Sequence, residues 1–176
     1  MSDTTTPTAK SATTAATTAA STQPDKNKDA NVIELLSFLV GGQDYCVDIM
    51  SVREIRGGAK ATPLPHSPSY MRGVINLRGT VLPIMDLSSR LELDAETDKE
   101  RNVIIVVAIA DRTVGLMVDA VSDILAIPED ELQPPPEMKA DDERSFVSAL
   151  TIVDSRMIRV LDLASVLPPT GEDVAA

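Results

Sequence analysis

The chain has 176 residues, enough for one domain or for two very small units that share a core. A formal charge of −11, 2% aromatic residues and no tryptophan argue against a nucleic-acid partner, because phosphate binding draws on Lys and Arg and base stacking on aromatic rings. The single cysteine can form no internal disulfide and no apolar run approaches the ~20 residues of a membrane span, so a cytoplasmic protein with no direct membrane insertion is expected.

Residues 1–31 are Thr, Ala and Ser with almost no apolar bulk, and they predict a disordered tail in which Lys10, Lys26 and Lys28 cancel Asp3, Asp25 and Asp29. IELLSFLV (33–40), then GGQD, then YCVDI (45–49) read as a hairpin, with Gly41 and Gly42 free to take positive φ. MSVREI (50–55) suits one helical turn or a bent strand. Pro63, Pro65 and Pro68 punctuate a loop, after which GVINL and TVLPIMDL form a second hairpin around Arg78 and Gly79. Strand alternation places Arg78 on the face of Val74 and Asn76, opposite Ile75 and Leu77. DLSSRLEL opens with Asp86, a good N-cap residue, and predicts a short helix.

The cycle then restarts. NVIIVVAIA (102–110) turns at Asp111 and Arg112 into VGLMVDAV. VREI at 52–55 returns as VSDI at 121–124, an offset of 69, and DLSSRL at 86–91 returns as DLASVL at 162–167, an offset of 76. The extra residues fall in the acidic, proline-rich stretch PEDELQPPPEMKADDE. Two echoes in the same order, flanked by similar hairpins, predict a duplicated five-strand unit. Units this small with so few aromatics are marginal alone, so the pair is expected to share an apolar interior and leave a groove between them. Residues 169–176 read as a flexible C-terminal tail.

The acids cluster at 92–100 and 129–143, as solvated loops would. Between Ser51 and Arg90 the balance reverses: Arg53, Arg56, Lys60, Arg72, Arg78 and Arg90 face only Glu54 and Asp86. Such a basic island on an acidic protein suits the steering of an acidic partner, and the planar fork of Arg78 matches a carboxylate. Catalytic chemistry is not indicated. His66 is the only histidine and sits in a proline loop, Cys46 has no metal-ligand spacing to a second ligand, and no phosphate-binding glycine loop occurs. Asp48, Asp86, Asp119 and Asp162 would have to supply any metal-binding or hydrolytic site, but read better as capping or strand-end acids. The expectation is no enzyme, no metal and no cofactor.

YCVDIMSVREIRG, MRGVINLRGTVLPIMDL and VGLMVDAVSDIL, in that order, closely resemble the CheW-type chemotaxis coupling proteins over residues 33–167. The resemblance implies a mainly β fold: two five-stranded SH3-like β-barrels sharing a hydrophobic core, with a few short helices. The CheW-like domain would span 32–168, with intertwined barrels drawn mostly from 45–100 and 101–160. It also implies a scaffold that bridges the regulatory domain of the histidine kinase CheA to the cytoplasmic tips of methyl-accepting chemoreceptors, recruited to membrane-associated receptor clusters. The receptor-contact arginine of the family matches Arg78, its VxEI segment matches Val52 and Glu54, and Ile49 and Gly73 fall in the same region. Thr62 and Leu64 are assigned to a kinase-binding surface from their place on an outer strand. The chain has no room for a phosphotransfer, ATP-binding or receiver domain. The alternatives are a coupling protein of another chemosensory array, serving pili or development, and a small acidic metal-binding or hydrolytic protein.

Overall fold

The computed structural model describes residues 31–93, 102–136 and 146–168. Apart from Asn31, the expected tails at 1–31 and 169–176 lie outside the described residues, as do parts of both acidic loops. Ten strands run in chain order: β1 (Val32–Val40), β2 (Gln43–Asp48), β3 (Val52–Gly57), β4 (Met71–Leu77), β5 (Thr80–Asp86), β6 (Val103–Ile109), β7 (Arg112–Val118), β8 (Ala120–Pro128), β9 (Val147–Val153) and β10 (Arg156–Leu161). Helix α1 (Leu87–Arg90) follows β5 and α2 (Leu163–Val166) follows β10, while 3₁₀ turns at Ile49–Ser51 and Glu129–Glu131 link β2 to β3 and extend β8. MSVREI is therefore both things its sequence allowed, a turn and then a strand. Asp86 accepts hydrogen bonds from the amides of Ser88 and Ser89, and Asp162 from that of Ala164, so both predicted caps form.

The first sheet has the order β3-β6-β7-β5-β4 and the second β8-β1-β2-β10-β9. One order maps onto the other when each strand is replaced by its counterpart in the duplicated unit. The backbone bridge between Thr62 and Val74 recurs between Gln133 and Leu150, and the amide of Asp86 on the Tyr70 carbonyl recurs as Asp162 on Phe146. The strands nevertheless do not divide near residue 100. Each sheet takes a hairpin from one repeat and three strands from the other: β6–β7 lie between β3 and β5, and β1–β2 lie between β8 and β10. The seams are the parallel pairs β5/β7 and β2/β10; all other strand pairs are antiparallel.

That exchange explains the unbroken apolar runs. Central β6 presents Ile104 and Val106 to the interior of its own sheet and Ile105 and Val107 to the shared core. Central β1 divides likewise, with Leu35 inside its sheet and Leu36, Phe38 and Val40 in the shared core. The shared cluster also draws on Met85 and Leu87 from one side and Leu161, Leu163 and Val166 from the other, so neither unit could bury its faces alone. Cys46 fills the interior of the second sheet at the place Gly115 holds in the first: Cys46 is aligned with Val160, and Gly115 with Ile84. Burial pushes its thiol up to about 12, which makes it a packing residue and not a thiolate.

Candidate functional site

Two of the predicted contact residues, Arg78 and Glu54, meet where the β4–β5 turn and β3, at opposite edges of the first sheet, approach one another. Arg78 occupies the turn itself, not the strand face expected from alternation: it is left-handed (φ 51°), as is Gly79 (φ 84°), and the Asn76 carboxamide accepts the Gly79 amide at 2.8 Å. The Arg78 side chain is 75% exposed, and its Nη1 donates to Glu54 Oε2 at 2.7 Å. Arg56 Nη1 lies 3.9 Å from Glu54 Oε1. One carboxylate thus stands between two guanidinium groups on the rim. Exposed pairs of this kind add little stability, but this one orients the Arg78 fork against an edge strand.

Val52 and Ile49 sit half-buried against the shared core, just before Glu54 on the chain, with Met50 projecting between them at 79% exposure. Gly73 is buried and takes φ 132°; a Cβ there would overlap the Thr62 carbonyl oxygen and come within 2.9 Å of Pro63 Cα. Its missing side chain lets the Thr62–Pro63 segment cross close to β4, and it offers no side chain to a partner. Thr62 is exposed and held by two backbone bonds to Val74, at 2.8 and 2.9 Å. Leu64, half-exposed, lies in the loop beyond that bridge and not on an outer strand.

The basic island is smaller than its sequence suggests. Arg72 is bound through Nε (3.0 Å) and Nη2 to the buried carboxylate of Asp86. Arg90 donates to the carbonyls of Val166 (2.8 Å) and Ser165 (3.3 Å) at the end of α2, and its guanidinium lies 4.6 Å from the Tyr70 ring centroid and 5.0 Å from that of Phe146. Both belong to the architecture. Arg53, Arg56, Lys60 and Arg78 remain on the surface with Glu54.

The acids that a catalytic or metal reading would need are held by the backbone. Asp48 caps Met50, Asp119 accepts the Gly41 amide at 2.8 Å, and Asp86 and Asp162 cap the helices. Burial alone would raise the pKa of Asp86, but hydrogen bonds from Ser88 and Arg72 and the Arg72 charge outweigh it and hold the carboxyl below its ordinary value. His66 is exposed in its loop. Among the described residues, no group of three or more His, Cys, Asp or Glu is placed to hold a metal ion, and no helix is long and apolar enough to cross a membrane.

Where the sheets meet, an open groove of about 350 Å³ runs between Ile109 of the first sheet and Ile33, Leu35 and Leu161 of the second. Ser51, beside Val52, forms part of its wall; Arg78 and Glu54 do not. The exposed Met50 had no distinguishing sequence signal, since an apolar residue next to a strand reads as core.

Residues 34–169 match the family model described as a CheW-like domain. The chain is 51% identical over 142 residues to the chemotaxis protein CheW of Rhizobium meliloti, covering 81% of this chain and 92% of that protein. Against the chemotaxis protein CheW of Klebsiella aerogenes the identity is 34%, over 81% of this chain and 84% of the other. Among solved structures, the scaffolding protein TtCheW from Thermoanaerobacter tengcongensis superposes with a TM-score of 0.71 at 30% identity, covering 81% of this chain and 97% of that one.

Proposed function

The chain belongs to the CheW family, and on that premise we propose that it is a non-catalytic chemotaxis coupling scaffold, joining the regulatory domain of the histidine kinase CheA to the cytoplasmic tips of methyl-accepting chemoreceptors. It works in the cytoplasm, at membrane-associated receptor clusters. The observation that carries this reading is the Arg78 fork, mostly exposed at a tight turn and aimed by Glu54 beside Val52 and Ile49. A receptor helix bearing carboxylates would meet that guanidinium and run along the half-buried apolar residues next to it. Gly73 contributes by letting the Thr62–Pro63 backbone pack closely against the turn-bearing hairpin. Thr62, exposed in the bridge to Val74, and Leu64, exposed in the loop beyond it, are the proposed kinase-facing residues.

Bivalence makes such a scaffold effective without chemistry. Holding two partners at a fixed spacing can raise effective affinity by ~10²-fold when the geometry permits both contacts. The test is a three-component pull-down of receptor tip and kinase, with and without this chain, repeated with Arg78→Glu. Receptor capture should fall by about tenfold or more while kinase capture and the unfolding midpoint stay unchanged. Normal receptor capture by the variant would remove Arg78 from the site.

A further inference from the structure

The two units leave their corresponding acids, Asp86 and Asp162, in different company. In β4 a bulge places Arg72 between the register pairs Met71–Met85 and Gly73–Ile84; in β9 the same bulge places Ser148 between Val147–Leu161 and Ala149–Val160. Arg72 and Ser148 are therefore equivalent. Arg72 binds Asp86 Oδ2 through two nitrogens, whereas the Ser148 hydroxyl donates to the Val160 carbonyl at 3.3 Å. Met117 is the register partner of Asp86; two residues beyond the Cys46–Val160 pair, the second unit has Asp48 and Asp162. A long cation and a long thioether are thus replaced by a short hydroxyl and a second carboxylate.

Both acids line the open groove of about 350 Å³ where the sheets meet, over an apolar floor that includes Leu35, Leu132 and Val160. Among the described residues neither acid pairs with a lysine or arginine. Asp162 Oδ2 accepts one hydrogen bond, from Ser165, where Asp86 Oδ2 accepts two from Arg72, so it has capacity for another donor. We infer that the groove receives an arginine side chain presented by a partner protein. Its guanidinium binds Asp162 and Asp48 as Arg72 binds Asp86, and its methylenes lie on the apolar floor. An arginine within a peptide fits better than the free amino acid, whose α-carboxylate would meet two acids on a chain of formal charge −11. Arg78 and Glu54 line no part of this groove, so the contact is separate from the one proposed for an acidic receptor helix.

The test is a titration of the isotope-labelled full chain with the peptide acetyl-Leu-Arg-Leu-amide, followed by backbone amide shifts, beside the same peptide carrying citrulline, the neutral isostere of arginine. The arginine peptide should move the Ser148, Ala149, Asp162 and Ala164 amides with a Kd of about 1 mM, and more weakly as salt rises. The citrulline peptide should bind at least tenfold more weakly. Asp48→Asn, which keeps a competent cap for Met50, should lower affinity about fivefold at an unchanged unfolding midpoint. Ser148→Arg supplies the cation from within the chain and should lower it tenfold or more, with a midpoint no lower than wild type. Absence of shifts at these amides at ten times the expected Kd, equal binding of the citrulline peptide, or normal binding by Asp48→Asn or by folded Ser148→Arg would each overturn the inference. Free arginine binding as tightly as the peptide would overturn the assignment to a protein-borne side chain.

Discussion

The rim of the first sheet and the rim of the second have the same backbone and different chemistry. Each has an edge strand of matching pattern, VREI or VSDI, and a left-handed two-residue turn on the opposite edge. In the first, Glu54 on one edge strand and Arg78 at the turn of the other edge form an ion pair; the second has Asp123 and Asp154 at those positions and exposed Ile152 in place of Asn76. The difference teaches that duplication supplied the scaffold twice, and that charge at a few exposed positions distinguishes the two faces. Both residues take the same left-handed conformation, φ 51° at Arg78 and 50° at Asp154, although aspartate adopts it more readily than arginine.

The sharpest way to break this equivalence is Gly73→Ala. The second unit has Ala149 at the corresponding place, yet in the first an added methyl would meet the Thr62 backbone at φ 132°. The variant should lose about 3 kcal/mol or more in denaturant unfolding, far beyond an ordinary Gly-to-Ala effect. An unchanged midpoint would mean that the Thr62–Pro63 segment gives way and the two units are closer than their backbones indicate.

Next comes the pair of capping acids. Asp86→Asn removes a charge that binds Arg72 and accepts the Ser88 hydroxyl in a buried setting, and should cost about 2 kcal/mol. Asp162→Asn leaves a competent cap on the more open helix and should cost under about 0.5 kcal/mol. The two also differ in acid. Because the folded pKa of Asp86 lies below its unfolded value, its stabilisation is complete above the ordinary carboxylate range and disappears as pH falls through the folded pKa. Unfolding free energy of the wild type should therefore decline more steeply than that of Asp86→Asn over this acid interval, as measured by denaturant titration at a series of pH values.

The smallest effect is expected inside the second sheet. Thr151 stands where the first has Ile75, is 3% exposed, and among the described residues its Oγ1 has no hydrogen-bond partner. Thr151→Val removes that unpaired hydroxyl and should raise stability by about 1 kcal/mol at constant m-value. A loss would point to a partner for the hydroxyl.

Much of this molecule was legible from residue order alone. The apolar runs, the glycine and Arg-Gly turns, the Asp86 and Asp162 caps and the paired echoes at offsets of 69 and 76 are local patterns, and local hydrogen bonding and alternation suffice to produce the elements they predict. Which hairpin joins which three strands could not be read this way. Both repeats have the same period, so β6–β7 satisfy the first or the second sheet equally well until the shared core of Phe38, Met85, Val107 and Leu116 forms. Tertiary packing also sorted the arginines. Arg72 and Arg90 look like Arg78 in sequence, but a buried carboxylate and a helix end claimed them, because partners brought together by folding, and not neighbours in the chain, decide where a guanidinium points.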